Sequence, residues 1–178
     1  MNKAIFIDKD GTLIQDVPFN VDPDLIELEE YALESLYKLQ QQGYDLVIVS
    51  NQPGVARGYF KEEDLEKVEK KIKNILSEKN ISLTGFYYCP HSEEQGCECR
   101  KPKPGLLLKA AKDLEIDLSR SWMIGDILND VEAGKRSGCK TVLIDNGNET
   151  EWQYNPNRIP NYIANHLKEA AKIIMLQP

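Results

Sequence analysis

Phe6-Ile7-Asp8-Lys9-Asp10-Gly11-Thr12 sets two carboxylates at the point where an apolar run stops. Ala4 to Ile7, apolar and with β-branched members, reads as a buried strand. Asp8 and Asp10 then fall at its C-terminal end, the edge at which open α/β sheets bind ligands. Gly11 permits a sharp turn directly afterwards and lets both acids face one pocket. Two acids so close repel, and a divalent cation relieves that repulsion. A strand-ending Asx turn would account for the same residues without any ligand.

Length and charge narrow the field. A chain of 178 residues is long enough for one full hydrophobic core and short for two, so a single domain spanning 1–178 is expected. The formal net charge is -7 and no block of Lys and Arg stands out, which argues against a nucleic-acid partner. Too few apolar residues precede Asp8 for a signal-peptide core, and no later apolar run reaches membrane-spanning length. A soluble, cytoplasmic protein with no membrane partner is expected. Cys89, Cys97 and Cys99 cluster in a loop rich in Pro, Gly and Glu, a pattern that favours metal over disulfides. Cys139 stands alone before an apolar strand, as a core thiol does.

Apolar strand-like runs alternate with helix-period segments, the pattern of a parallel α/β sheet. After the first strand, Leu13 to Asp24 carries Pro18, Asn20 and Pro23 and reads as a loop or small flap. Ala32, Leu36 and Leu39 repeat at helical spacing until Gly43, and Leu46-Val47-Ile48-Val49 forms a second strand. Leu65, Val68, Ile72 and Ile75 mark one face of a charged amphipathic helix, and Phe86 to Tyr88 a short third strand. Pro104 opens the next helix, Trp122-Met123-Ile124 leads into Gly125-Asp126, and Asp130 to Gly138 is a short helix. Thr141 to Ile144 is a fifth strand and Leu167 to Ile174 a closing helix, with the polar stretch Asn146 to Asn161 expected as loop.

Four segments, taken in order, resemble the four motifs of the haloacid dehalogenase (HAD) superfamily: Asp8-Lys9-Asp10-Gly11-Thr12, Ser50-Asn51-Gln52, Arg100-Lys101-Pro102 and Gly125-Asp126-Ile127-Leu128-Asn129-Asp130. Cys89-Pro90-His91 followed by Cys97-Glu98-Cys99 is similar to the zinc-containing branch of that superfamily, which holds heptose bisphosphate and histidinol-phosphate phosphatases. The resemblance covers most of the chain. It implies an α/β, HAD-like three-layer sandwich with a central parallel sheet, no large cap domain, and a zinc-binding loop over residues 89–99.

The resemblance also implies a chemistry. Asp8 is the nucleophile that forms a phosphoaspartate, and Asp10 protonates the leaving oxygen and then deprotonates the attacking water. Mg²⁺ is held by the Asp8 carboxylate, the Asp10 backbone carbonyl and Asp126. Ser50 and Lys101 hold the phosphoryl group. Asp130 either orients a neighbouring group or water, or caps the helix that follows. Asn51, Gln52 and the loop to Gly58 are expected to close on the substrate, with Arg57 and Arg100 as clamps for a second anionic end. Asp16, Val17, Pro18 and Phe19 align with a substrate-contacting segment.

The zinc expectation also rests on donor chemistry. Cys89, His91, Cys97 and Cys99 supply three thiolates and one imidazole, a complete tetrahedral set with no open position, so the metal is structural and fixes the loop that carries Arg100 and Lys101. Arg57 favours a bisphosphate sugar over an amino-alcohol phosphate, because a second phosphate gives that guanidinium a partner. The expected substrate is therefore a small phosphorylated sugar, a heptose 1,7-bisphosphate losing its 7-phosphate, acted on by a monomer. Histidinol phosphate is the alternative substrate, and a non-catalytic zinc-loop binding module the alternative of another class.

Overall fold

The protein is described here by a computed structural model, in which residues 1–177 are defined. Six strands form one parallel sheet: β1 (Lys3–Ile7), β2 (Tyr44–Asn51), β3 (Gly85–Cys89), β4 (Trp122–Gly125), β5 (Lys140–Ile144) and β6 (Tyr162–Ala164). Their spatial order is β3-β2-β1-β4-β5-β6, so the first strand lies at the centre. It pairs with β2 along its whole length, Ile7 opposite Ile48, and with β4, Ile7 opposite Ile124. Ala4, Ile5, Phe6 and Ile7 are accordingly buried on both faces of the sheet.

Five helices cover the two faces: α1 (Ala32–Gln41), α2 (Glu62–Ser77), α3 (Gly105–Asp113), α4 (Leu128–Ser137) and α5 (Leu167–Met175). Ile5, Ile7, Leu46, Ile48, Trp122 and Ile124 point to one side, where they meet Leu36 and Leu39 of α1, Val68 and Ile72 of α2 and Ile174 of α5. Ala4, Phe6, Val47, Val49 and Met123 point to the other, against Leu106, Leu107 and Ala110 of α3 and Ala133 of α4. The alternation along β1 and β2 thus divides the core into two layers, one on each side of the sheet.

Two expectations change. The stretch Asn146 to Asn161 is followed by a sixth strand, Tyr162–Ala164, which pairs with β5 and caps that edge of the sheet. In addition, α4 begins at Leu128 rather than Asp130, with the Asp130 carboxylate accepting from the Ile127 backbone N–H at 3.3 Å as a cap. Among the described residues no helix is long and apolar enough to cross a membrane.

Helix α4 lies directly on the sheet because Gly134 allows it: a Cβ there would stand 2.7 Å from both Met123 Cβ and Thr141 Cγ2. Alanine normally strengthens a helix interior relative to glycine. Gly134→Ala is expected to do the reverse, destabilising the protein by about 1–3 kcal/mol through overpacking, read as a lowered Tm.

Candidate active site

β1, β2 and β4 end together, and their C-terminal residues open onto one cavity of about 300 Å³ lined by Asp8, Asp10, Asp16, Asn51, Lys101, Asp126, Ile127 and Asn148. Asp8 extends the ladder of β1, its N–H donating to the carbonyl of Ile124 at 3.0 Å. Asp126 follows β4 directly. Gly11, at φ +80°, turns the chain beneath these acids, and a Cβ at that position would collide with the Asp126 carboxylate.

Lys101 lies at the centre of the acids and is 3 % exposed. Its ammonium donates to Asp8 Oδ1 at 2.6 Å, to Asp130 Oδ1 at 2.6 Å and to the carbonyl of Val49 at 3.0 Å, which uses all three hydrogens. Its backbone is pinned by Asn51, whose side chain donates to the Lys101 carbonyl and accepts from the Lys101 N–H, both at 3.0 Å. Asp130 makes two contacts at once: one oxygen caps α4 while the other accepts from Lys101. Gly125 makes room for it, since a Cβ there would overlap the Asp130 side chain.

Both oxygens of Asp126 are also engaged, Oδ1 by Thr12 Oγ1 at 3.0 Å and Oδ2 by Asn148 Nδ2 at 2.6 Å. Asn146 reaches the same turn, donating to the Gly11 carbonyl at 2.8 Å. Thr12 stood inside the first motif, but Asn146 and Asn148 come from a polar loop whose sequence gives no periodic signal. Lys9, 1 % exposed, is a further buried cation, and it pairs with Asp10 at 2.5 Å. Gln52 turns inward as well, donating to Asp10 at 3.0 Å and to Ser50 Oγ at 2.8 Å.

The expected substrate residues do not all share this cavity. Asp16 lines it, while Val17 and Phe19 are exposed on the flap. Phe19 meets Tyr59 edge-on at 4.9 Å and lies under the Arg57 guanidinium at 5.5 Å, so the flap containing Pro18 touches the loop after β2. Arg100 faces a neighbouring cavity of about 520 Å³ with Asn129, Arg136 and Arg158, and its Nη1 is buried without a hydrogen-bond partner among the described residues. Neither Arg57 nor Arg100 lines the cavity of the acids, and both guanidiniums lie within electrostatic reach of Glu94.

Cys89, His91, Cys97 and Cys99 converge one residue upstream of Arg100. Cys99 Sγ lies 3.0 Å from Cys89 Sγ and 3.5 Å from Cys97 Sγ, and His91 Nδ1 lies 3.3 Å from Cys99 Sγ and 3.4 Å from Cys89 Sγ. Apart from the shorter Cys89–Cys99 approach, these separations are near the edges of about 3.5–3.7 Å that tetrahedral zinc–nitrogen and zinc–sulfur bonds impose. The donor set fits a closed zinc site.

Asp8, Asp126 and Asp130 also bring their carboxylates within 4.8 Å of one another. Burial, joined by the charge of Asp8, pushes the Asp126 carboxyl up to about 6. Burial raises Asp8 too, against the pull of Lys101. Burial opposes the charge on Lys101, but Asp130 and Asp8 outweigh it and hold the ammonium protonated. One cation facing three buried acids leaves negative charge uncompensated on the Asp8–Asp126 side, where a hard divalent ion fits.

These shifts carry a sign. An acid raised above its ordinary value binds more protons folded than unfolded between about pH 4 and its folded pKa, so its contribution to stability falls as pH rises through that window. In buffer freed of divalent cations, Asp8→Asn is expected to raise Tm relative to the parent at pH 8, with a smaller gain at pH 5.5. A gain that is equal at both pH values, or absent at both, would contradict the electrostatic account.

The HAD-hydrolase-like family model matches residues 98–170. Over 182 residues the chain is 40% identical to the D-glycero-beta-D-manno-heptose-1,7-bisphosphate 7-phosphatase of Pasteurella multocida, covering 98% of this chain and 97% of that protein. It is 42% identical to the protein of the same name from Haemophilus influenzae, covering 83% and 84%. The crystal structure of D,D-heptose 1,7-bisphosphate phosphatase from B. bronchiseptica, complexed with magnesium and phosphate, matches with a TM-score of 0.82 at 27% identity, covering 97% of this chain and 98% of that one.

Proposed function

This chain belongs to the heptose bisphosphate phosphatase family of HAD-type phosphoric monoester hydrolases, and from that membership we propose that it removes the 7-phosphate of D-glycero-β-D-manno-heptose 1,7-bisphosphate. The observation that carries the chemistry is the buried cluster in which Lys101 bridges Asp8 and Asp130 beside Asp126, at the C-terminal edge of the central strands. The protein is proposed to act as a cytoplasmic monomer in the synthesis of nucleotide-activated heptose.

Asp8 and Asp126 would hold Mg²⁺ together with the backbone carbonyl of Asp10. Bound there, it screens the approach of a phosphate dianion to a carboxylate and stabilises charge on the phosphoryl oxygens. An Asp8 oxygen attacks phosphorus, the bond to the sugar oxygen breaks, and phosphoaspartate forms. Asp10 gives its proton to the departing oxygen. Water then attacks the same phosphorus and passes a proton to the Asp10 carboxylate, and Asp8 and phosphate are released.

Ser50 Oγ accepts from Gln52, which leaves its own hydrogen for a phosphoryl oxygen. Lys101 supplies charge next to the Asp8 oxygen throughout, and Asp130 keeps it there. Asn51 acts through Lys101 by fixing its backbone. Asp16 would accept from sugar hydroxyls at the cavity edge, with the flap residues Val17, Pro18 and Phe19 covering the ring. Arg57 and Arg100 are proposed to receive the 1-phosphate side of the substrate. Zn²⁺ on Cys89, His91, Cys97 and Cys99 would stiffen the segment that delivers Arg100 and Lys101.

Phosphate release with Mg²⁺ tests this. The β anomer of the bisphosphate is expected to exceed both the α anomer and histidinol phosphate in kcat/KM by about a hundredfold, or about 3 kcal/mol of transition-state binding, with activity lost in Asp8→Asn. Faster turnover of histidinol phosphate would overturn the substrate assignment, and no turnover of any of the three would overturn the catalytic one. Arg57→Ala should raise KM for the bisphosphate by about tenfold, the worth of one exposed guanidinium–phosphate contact, while p-nitrophenyl phosphate hydrolysis is unchanged. Cys97→Ser is expected to lower both bound zinc, measured by elemental analysis, and Tm.

A further inference from the structure

A lysine between two acids on a loop would ordinarily extend its ammonium into water. Lys9 does not. Its side chain is 1 % exposed and its ammonium meets Asp10 Oδ1 at 2.5 Å. On the other oxygen, Gln52 Nε2, from a residue 5 % exposed, donates to Asp10 Oδ2 at 3.0 Å and with its second hydrogen to Ser50 Oγ at 2.8 Å. The Lys9 backbone is itself tied down, its carbonyl accepting from the N–H groups of Leu13 and Ile14, both at 3.0 Å. Burying an amine for one contact is costly, and the contact falls on a carboxylate that lines the reaction cavity. Asp10 would otherwise be free to turn, since its side chain is 31 % exposed and the glycine after it does nothing to hold it.

We propose that Lys9 and Gln52 are positioning residues that clamp Asp10, one on each carboxylate oxygen, and so fix the direction in which it exchanges a proton with the leaving oxygen. The proposal rests on the reading of Asp10 as the proton-transfer group. In the first step the Asp8–phosphorus bond forms, the phosphorus–oxygen bond to the leaving group breaks, and that oxygen's electron pair takes the Asp10 proton. A sugar alkoxide needs that proton to leave. A p-nitrophenolate ion does not.

The ratio of the two substrates therefore reports the clamp. Because kcat/KM covers the steps up to phosphoaspartate formation, the later use of Asp10 with water does not enter it. Lys9→Met keeps the buried volume and removes the ammonium. With Mg²⁺ present it is expected to lower kcat/KM for heptose 1,7-bisphosphate, or for whichever alkyl phosphate the parent hydrolyses, by about a hundredfold, and that for p-nitrophenyl phosphate by no more than about twofold. Lys9→Arg, which keeps charge and donors, should restore the alkyl substrate. Gln52→Met, which also frees Ser50, should lower both substrates, the alkyl one more. In an Asp10→Asn background Lys9→Met should have no further effect on the alkyl phosphate.

Equal losses on both substrates at unchanged Tm, or no loss on either, would overturn the clamp. Should Lys9→Met fail to fold, Lys9→Gln, shorter and uncharged, carries the same comparison. Parent protein that released phosphate from neither compound would overturn the phosphatase reading, and the clamp with it.

Discussion

Lys101 directs its three ammonium hydrogens to Asp8, Asp130 and the Val49 carbonyl, and with them ties the ends of β1 and β2 to the start of α4. Three carboxylates, Asp8, Asp126 and Asp130, could not be buried together at one sheet edge without such a cation. Several features of the surrounding chain serve its placement: the paired hydrogen bonds from Asn51, the space left by Gly125 for Asp130, and the Cys/His cluster that ends at Cys99, two residues before it. Even with Lys101 in place the charge is not balanced, because Asp8 and Asp126 remain raised by burial. That residual charge is what makes the Asp8–Asp126 side a place for a divalent cation rather than a closed salt bridge.

The site divides into two electrostatic halves. Lys101 governs the buried half, Asp8 and Asp130, and Lys9 the rim, where Asp10 faces the cavity. A nucleophile and a proton carrier have opposite needs, one ionised and the other exchanging a proton, and their separation between two cations gives each its own environment. Gln52 links the rim to Ser50, and the second strand reaches the buried half through the Val49 carbonyl, which accepts from Lys101.

Much of this was legible in the sequence, and what was not has physical reasons. The central strands could be read because they are buried on both faces and so appear as continuous apolar runs. The strand Tyr162–Ala164 could not, being three residues long with Ile163 half exposed at the sheet edge. The meeting of Asp8 and Asp126 at one cavity was legible because each directly follows an apolar strand, and Lys101 was legible from its Arg-Lys-Pro motif ahead of a helix. The inward turn of Lys9 was not, since nothing in its neighbours distinguishes a buried lysine from a solvated one. Asn51 lines the cavity, and the hydrogen bonds from Asn51 to Lys101 and from Gln52 to Asp10 and Ser50 join residues too far apart in the chain for any local pattern to announce. Asn146 and Asn148 reach the site from a loop with no pattern to announce them, and the placement of Arg57 and Arg100 outside the acid cavity depends on tertiary structure alone.

The position of β1 has a consequence for how the molecule comes into being. β1 is made before both of its neighbours, β2 and β4, so the middle of the sheet cannot close until the chain has been made as far as Gly125. Such non-local pairing slows folding. It also sets an order of assembly. Lys101 precedes Asp126 and Asp130 in the chain, so the counter-charge for Asp8 emerges before those two acids do.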